Sequence, residues 1–416
     1  MTDMREAIPR LHCQASASQA GCFLRGRGIL MAVVLGGALW GCAKRGPAAA
    51  AVASAPQSQA PAAPSAGELV RRGGQAFERG EMAEARSLLD KGLEGLPQGD
   101  AQRGQAHLWL ARIAQKDQDL PRERSHLEIA LQARPQDATL MLRLGGVLKR
   151  QQQLEAAAAL LGKALEKFPG DRDLLMELMD TYRLQGQFKE AARTGYQLLS
   201  RASADLAVYR ELARVYLEER KYEITELLCL NAQRIFQERQ QKEPSLKEDP
   251  ELVLIQGLMY AQTDRPREAL SQFVRAVALD GDYFEGWMNL GAMAQRFRDH
   301  ARAVQAYEKA LGLRRDDPLA IKGLAFALRG NGDHQRAFDL CGRVLAQDGQ
   351  DAQCLFWTGE ILEVYQKDFP RAVEYYERYK TVLGSALTAA DPVHQRLQAA
   401  RAKLGQQEDL SREKQP

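Results

Sequence analysis

The chain has 416 residues, of which 57 are Lys or Arg and 54 are Asp or Glu, so its formal net charge is only +3. This near balance argues against a dedicated nucleic-acid-binding protein, which concentrates positive charge in one region. Hydrophobic residues make up 45% of the chain and charged residues 27%, which excludes disorder throughout. Abundant Ala, Leu, Gln, Arg and Glu, with few β-branched residues, predict a largely helical protein.

The first 41 residues are predicted to be an export signal. The apolar run Gly28–Trp40 has thirteen residues, fewer than the roughly 20 that a membrane-spanning helix needs. Arg25 precedes this run and a Gly-Cys pair ends it at Cys42, which is the order of charged region, apolar region and cleavage site in a signal peptide. The segment resembles a bacterial lipoprotein signal. That resemblance implies that Cys42 is lipidated and, since Ala43 is not an aspartate, that the chain lies at the periplasmic face of the outer membrane.

Two features keep an alternative open. Trp40 stands where lipoprotein signals carry a small residue, and the leader before Arg25 is long. The alternative is an uncleaved amphipathic or disordered leader.

Residues 42–66 are predicted to be a lipidated, Ala/Pro-rich tether, because the segment 46–65 has no charge and repeated prolines that prevent one continuous helix. About 20 flexible residues reach on the order of 25 Å.

From Gly67 to about Leu404 the chain repeats itself, with a period of 34 residues wherever nothing is inserted. One unit shows the pattern at positions 4, 7, 8, 20, 24 and 27, which are Trp287, Leu290, Gly291, Ala303, Tyr307 and Ala310. The pattern recurs nine times and resembles the tetratricopeptide repeat. The resemblance implies an all-α fold, a right-handed superhelical solenoid of about nine helix hairpins, with small residues at positions 8 and 20 where the two helices of a hairpin cross.

The period also predicts the boundaries. Units 1–5 occupy residues 67–236 and units 6–9 occupy residues 251–385, followed by a capping helix over 386–405 and a disordered tail over 406–416. The polar insertion 237–250 is either a hinge or partner loop or, as we favour, a lengthened helix and turn. Asp119 and Asp264, each just before a proline, are predicted helix caps.

The residues offer little catalytic chemistry. The six histidines form no metal-binding spacing, and the sequence has no phosphate-binding loop and no nucleophile elbow. We therefore expect no enzyme, no metal, no cofactor and no small-molecule substrate. Cys229 and Cys341 occupy position 24, a packing position, and are expected to be buried, although Cys341 and Cys354 lie on neighbouring predicted helices and could form a disulfide.

The resemblance places repeat positions 2, 5, 9, 12 and 13 on a concave groove. In units 2–5 these positions carry more basic residues than acidic ones, which here are Asp173, Asp180 and Glu218. Position 5 is mostly apolar, which suits an acidic peptide with spaced hydrophobic anchors. The alternative is that the charges solvate a helical surface and that position 5 is partly core. The predicted peptide-binding residues are Arg112, Lys116, Lys149, Arg150, Arg183, Arg210 and Arg214, with Leu142 and Met176.

Together these features predict a non-enzymatic, outer-membrane lipoprotein scaffold that binds protein subunits of an envelope assembly. A lipidated, Ala/Pro-tethered repeat array is similar to the adventurous-gliding tetratricopeptide lipoproteins, so gliding-motility machinery is the predicted setting. Two alternatives remain. One is a pilotin-like assembly factor for a pilus or secretion secretin, and the other is an accessory activator of a peptidoglycan-synthesis enzyme.

Overall fold

The computed structural model describes the backbone of residues 64–413 and the side chains of residues 64–407. This part of the chain forms nineteen α-helices and no β-strand. Eighteen of the helices pair into nine consecutive hairpins and the last stands alone, which confirms the all-α solenoid predicted from the repeat. The signal, Cys42 and most of the tether lie outside the described residues.

The first helices of the nine hairpins are α1 (Ala66–Arg79), α3 (Ala101–Lys116), α5 (Ala138–Arg150), α7 (Arg172–Leu184), α9 (Leu206–Glu218), α11 (Pro250–Gln262), α13 (Phe284–Arg296), α15 (Pro318–Gly330) and α17 (Ala352–Ile361). The second helices are α2 (Met82–Gly95), α4 (Leu120–Ala133), α6 (Leu154–Lys167), α8 (Phe188–Arg201), α10 (Tyr222–Lys242), α12 (Pro266–Leu279), α14 (His300–Leu313), α16 (His334–Gln347) and α18 (Phe369–Leu383). The last helix is α19 (Pro392–Glu413).

Aspartate caps start most of the first helices. Seven of them begin after an aspartate whose carboxylate accepts a hydrogen bond from a backbone N–H of the first turn, namely Asp100, Asp137, Asp171, Asp205, Asp249, Asp317 and Asp351. Asp119 caps α4 as predicted. The prediction for Asp264 is wrong. Arg265 is the residue before α12, and Asp264 instead has a φ of 56° and accepts a hydrogen bond of 2.7 Å from Arg296.

Glycine at position 8 lets the two helices of a hairpin approach each other. A Cβ at Gly257 would lie 2.6 Å from Cε1 of Phe273, the position-24 residue of the same hairpin, and one at Gly291 would lie 2.8 Å from Tyr307 Cζ. Neither distance is tolerated between carbon atoms, so each aromatic ring occupies the space that a side chain would need. The position-20 alanines, such as Ala269, have no exposed surface. The spacing therefore predicted where the two helices of these hairpins approach each other closely.

The ninth hairpin contains one extra residue between positions 8 and 20. Gly359 and Ala372 are thirteen residues apart, whereas Gly291 and Ala303 are twelve apart. A π-helical turn at Leu362–Gln366 absorbs the extra residue. Glu363, within this turn, is only 2% exposed and accepts hydrogen bonds from Tyr376 Oη at 3.1 Å and Lys403 Nζ at 2.9 Å, so the turn ties the last hairpin to α19.

The polar insertion 237–250 is the lengthened helix and turn that we favoured, because α10 continues to Lys242 and residues 243–249 connect it to α11. The end of the chain is more helical than the sequence predicted. Helix α19 continues to Glu413, so residues 406–413, predicted as a disordered tail, are helical. The reason is that Val393, Leu397 and Ala400 are buried against the last hairpin and nucleate a helix that then propagates through good helix formers.

The contacts between hairpins show which way the array curves. Five of the eight successive pairs of first helices contact each other directly, among them α1 with α3, α5 with α7 and α9 with α11, whereas each second helix mainly contacts the first helices of its own hairpin and of the next. First helices are therefore closer together than second helices. The first helices line the concave face and the second helices form the convex face.

Candidate protein-binding groove

The N-terminal part of the concave face carries a pair of aromatic rings with a cation over each ring. The rings of Phe77 (α1) and Trp109 (α3) have centroids 5.3 Å apart and are tilted by 47° to each other. Lys116 Nζ lies 4.7 Å from the centroid of the Phe77 ring, and Arg112 Cζ lies 4.5 Å from that of the Trp109 ring. Gly74 makes this ring pair possible, because a Cβ there would be 2.8 Å from Trp109 Nε1. Both cations are attracted by the ring faces.

Arg143 on α5 extends this positive surface. Its Nη2 donates a hydrogen bond of 3.3 Å to Gln115 Oε1 on α3. Burial, and then repulsion from Arg112, lower the pKa of Arg143. Within residues 64–407, Arg112, Lys116 and Arg143 form no ion pair. We call these three cations with Phe77 and Trp109 the basic–aromatic site, and the apolar Leu108 and Leu142 lie beside it, half-buried.

The other predicted basic residues form ion pairs that connect successive first helices. Lys149 Nζ on α5 lies 2.6 Å from Asp180 Oδ2 on α7, and Arg183 Nη1 on α7 lies 2.6 Å from Glu218 Oε1 on α9. Arg183 also contacts Asp180, with Nη2 and Oδ1 2.6 Å apart. Its side chain is only 4% exposed. These residues form an ion-pair ladder along the middle of the concave face.

The ladder continues to α11 and includes carboxylates that sequence reasoning left out. Arg210 and Arg214 on α9 both pair with Glu251 on α11, and Arg214 Nη1 lies 2.8 Å from Glu211 Oε2. Arg150 pairs with Glu123, which is buried at position 20 of α4. Lys149, Arg150, Arg183, Arg210 and Arg214 are thus each neutralised within the chain. The uncompensated positive charge among the predicted residues lies on Arg112 and Lys116.

The pKa of Asp180 reports the strength of this ladder. Burial opposes ionisation of the Asp180 carboxyl, but attraction by Lys149 and Arg183 outweighs burial and holds its pKa below the usual value. The same balance raises the pKa of Arg183, since Asp180 and Glu218 outweigh its own burial. Asp180 and Arg183 therefore stay ionised at neutral pH and join neighbouring hairpins, whereas burial outweighs Arg183 at Glu218 and raises the pKa of that carboxyl.

Some of the side chains at repeat position 5 belong to the core, and others are partly exposed on the groove. Val70, Leu254 and Met288 are buried. Leu142 and Met176 are half-buried and pack against core clusters between hairpins. Leu142 directly precedes Arg143, one of the cations without an ion pair. Met176 lies on α7, where Arg183 pairs with Asp180.

Sequence reasoning missed three members of the basic–aromatic site. Arg143 occupies position 6, which the family pattern does not place on the groove, and the rings of Phe77 and Trp109 contact each other across two hairpins. The detectable signal was Phe77 at position 12 of unit 1 and Trp109 at position 6 of unit 2, two aromatic residues at positions that other units mostly fill with polar ones.

Two histidines face each other inside the second hairpin, behind the basic–aromatic site. The Nδ1 atoms of His107 (α3) and His126 (α4) are 3.1 Å apart. Burial, and then repulsion from His126 and Arg103, lower the pKa of His107 to about 4, and burial also lowers the pKa of His126. The charged groups that face the pair are Arg86, Asp90, Arg103, Asp119 and Arg122.

We expect this pair to make the second hairpin acid-labile. The neutral histidine pair contributes fully to the free energy of unfolding above the ordinary histidine pKa of 6.5, and this contribution is lost as pH falls towards about 4. The reason is that the unfolded chain binds more protons than the folded chain in this range. Replacing both histidines by Gln should flatten the pH dependence of the denaturation midpoint between these values, measured by circular dichroism. His394→Gln on α19 is the control and should leave that dependence unchanged. An equally steep dependence in the double variant would contradict the prediction.

The three cysteines in the described residues are buried free thiols. Cys341 on α16 and Cys354 on α17 lie in one core cluster, and a contact with the Cys341 thiol, together with burial, raises the pKa of Cys354. Burial raises the pKa of Cys229 to about 12. Cys229 and Cys354 therefore remain protonated at neutral pH, and all three cysteine side chains fill core space.

No helix in the described part of the chain is long and apolar enough to cross a bilayer. No cluster of three or more His, Cys, Asp or Glu side chains in that part of the chain is arranged to hold a metal ion.

Comparison with known proteins identifies the repeat. Residues 148–195, 256–318 and 323–392 match family models of the tetratricopeptide repeat. No curated protein matches the sequence significantly. Similar solved structures include the APC/C hetero-tetramer Cut9–Hcn1, with 15% identity over 70% of this chain and 54% of that chain and a TM-score of 0.48.

Two smaller bacterial proteins are also similar. TTC0263, a thermophilic TPR protein from Thermus thermophilus, shares 25% identity over 46% of this chain and 99% of that chain, with a TM-score of 0.39. PilF from Pseudomonas aeruginosa shares 19% identity over 52% of this chain and 92% of that chain, with a TM-score of 0.39. The family-model matches show that the chain contains tetratricopeptide repeats at residues 148–195, 256–318 and 323–392. This fold typically serves as a scaffold for protein–protein interaction.

Proposed function

We propose that this chain is a non-enzymatic scaffold whose basic–aromatic site binds an acidic, partly apolar segment of a partner protein. The observation that carries the proposal is that Arg112, Lys116 and Arg143 are uncompensated, while the ion-pair ladder neutralises the other predicted basic residues. Carboxylates of a partner would pair with these three cations. Apolar side chains would contact Leu108 and Leu142.

The neighbouring ladder supports this assignment. Ion pairs between α5, α7, α9 and α11 leave the middle of the groove without net attraction for an acidic segment and stiffen the array beside the site. A rigid site loses little conformational freedom on binding, which favours affinity. The groove therefore combines one attractive section with a stiff support.

The location and setting that we propose rest on the sequence. Lipidation of Cys42 would anchor the chain to the outer membrane, facing the periplasm, and the tether would let the array stand off the membrane. The partner would then be a subunit of an envelope assembly, and gliding-motility machinery is the setting that the resemblance to gliding lipoproteins favours. A secretin recovered as the partner would instead support the pilotin-like function, and a peptidoglycan-synthesis enzyme would support the activator function.

The test is crosslinking in cells that carry the tagged full-length chain, followed by isolation of the outer membrane and mass spectrometry. Arg112→Glu/Lys116→Glu should reduce recovery of the partner about tenfold or more, since both substitutions replace attraction by repulsion. Lys163→Glu is the matched control, because Lys163 is an exposed cation on α6, a helix of the convex face. It should recover the partner as the wild type does.

Two results would contradict the proposal. Unchanged recovery with Arg112→Glu/Lys116→Glu would move binding away from the basic–aromatic site. Retention of Cys42→Ala in the outer membrane, with lipid labelling intact, would remove the anchor. Charge reversal of Arg183 or Arg214 is unsuitable here, because it would break the ladder and test the fold instead of the site.

A further inference from the structure

The convex face carries an apolar patch on three neighbouring second helices. Tyr196 on α8, Leu230 on α10 and Val274 on α12 all occupy repeat position 25 and are 46%, 51% and 43% exposed. Leu227, one turn earlier on α10, is 57% exposed. We call these four residues the convex patch. Equivalent positions of a solenoid lie in a row, so the patch extends across α8, α10 and α12, with α10 in the middle.

The apolar character at position 25 is confined to these three units. The other six units carry charged residues or glycine at this position, namely Asp90, Glu128, Gly162, Glu308, Gly342 and Glu377. Charged residues suit a solvated helix face, whereas exposed large apolar side chains that recur at one repeat position in three consecutive units mark an interaction site. The convex patch therefore requires a reason beyond the repeat pattern.

Charges on α10 are arranged symmetrically about the centre of the patch. Along its exposed face, Glu223, Leu227, Leu230 and Arg234 follow one another at intervals of four, three and four residues. Glu223 and Arg234 are eleven residues apart, about 16 Å along a helix, so they cannot pair with each other within one chain. Among the described residues Glu223 forms no ion pair, and Arg234 has only a contact of 4.0 Å with the exposed Glu238.

We infer that the convex patch binds a second copy of this chain. A two-fold axis crossing α10 at right angles between Leu227 and Leu230 makes the two copies of α10 antiparallel. Leu227 of each copy then packs on Leu230 of the other, and Glu223 of each copy pairs with Arg234 of the other. This helix face has its apolar residues placed symmetrically about the axis and opposite charges at its two ends. Such a face is complementary to itself, which is the requirement of a two-fold interface.

Helix α8 agrees with this axis. The axis lies in the interface and runs across the second helices, so the rotation places α8 of one copy over α8 of the other. Arg193 and Tyr196 occupy positions 22 and 25 on α8, as Leu227 and Leu230 do on α10. Arg193, which is exposed, would therefore face the ring of Tyr196 in the other copy, a favourable cation–π arrangement. The concave groove stays open on both copies.

The test measures the mass of the purified full chain by sedimentation equilibrium from about 1 to 200 μM, a range suited to an interface of modest size. The wild type should change from monomer to dimer within it. Leu227→Arg/Leu230→Arg should remain monomeric, whereas Leu319→Arg, which alters an equally exposed leucine on α15 (54% exposed), should dimerise as the wild type does. A wild type that stays monomeric throughout, or a dimer that survives Leu227→Arg/Leu230→Arg, would overturn the inference.

A charge exchange tests the antiparallel geometry. Glu223→Arg alone and Arg234→Glu alone should each weaken the dimer about tenfold, and the double variant should restore it, because each copy then again presents opposite charges to the other. Glu155→Arg is the matched control, since Glu155 occupies the same repeat position as Glu223 on α6, and it should not change the dimer. Failure of the double variant to restore association would overturn the antiparallel pairing. These results are independent of partner binding at the basic–aromatic site.

Discussion

Replacement of Arg183 by alanine should lower the free energy of unfolding by about 3 kcal/mol, because it removes the centre of the ion-pair ladder. The guanidinium contacts Asp180 on its own helix and Glu218 on α9, both at 2.6 Å. Its loss leaves the partly buried Glu218 without its cation and leaves Asp180 with Lys149 alone. The expected result is a lower midpoint of guanidinium denaturation, with hydrogen exchange increased in α7 and α9 because the ladder joins those helices.

Arg302→Ala is the control for this prediction. Arg302 pairs with Asp299 on the surface, where the side chains are 48% and 39% exposed, and such pairs contribute about 0.5 kcal/mol or less. Its midpoint should match that of the wild type. If Arg183→Ala were as stable as Arg302→Ala, the ladder would not hold the hairpins together, and the basic residues of the middle groove would again be candidates for partner binding.

Gly257→Ala should destabilise the protein by about 2 kcal/mol, although alanine is the better helix former. The new Cβ would lie 2.6 Å from Phe273 Cε1 and 2.8 Å from Cδ1, and overpacking of this kind costs more than the gain in helix propensity of about 1 kcal/mol. Phe273→Ala alone should cost about 3 to 5 kcal/mol, because the ring is 1% exposed. In that background Gly257→Ala should be neutral or stabilising.

Gly162→Ala is the matched control, since this helical glycine of α6 has no heavy atom within 4 Å of where its Cβ would lie. It should stabilise the protein by up to about 1 kcal/mol. Denaturant midpoints of the four variants in the Gly257–Phe273 cycle measure the coupling between the two residues. Equal effects of Gly257→Ala with and without the Phe273 ring would show that the helix crossing does not depend on this contact.

The hairpins were predictable because they are encoded locally. Small residues at positions 8 and 20 and apolar residues at positions 4, 7 and 24 recur at fixed spacing, and each follows from how two adjacent helices pack. Most aspartate caps lie directly before the helices that they start. Where local signals were less clear, predictions failed. Asp264 stands one residue too early to cap α12, and the helical continuation of α19 past Gln406 depends on packing that nucleates the helix.

The binding site was less predictable because charge compensation is not local. Arg183 and Glu218 are 35 residues apart, and Arg210 and Asp249 are 39 apart. A family pattern counts such residues as groove charges one at a time, whereas the structure pairs them across hairpins. The convex patch is a similar case, since Tyr196, Leu230 and Val274 become neighbours only when the second helices align.

The sequence by itself determined the repeat, the pairing of helices and the identity of the residues that each helix buries, because these depend on contacts within one unit or between consecutive units. Tertiary structure decided which charged and apolar side chains remain available to a partner. Availability depends on what faces a side chain across the curved array, so Arg112, Lys116 and Arg143 remain uncompensated while Arg183 and Arg214 hold neighbouring hairpins together.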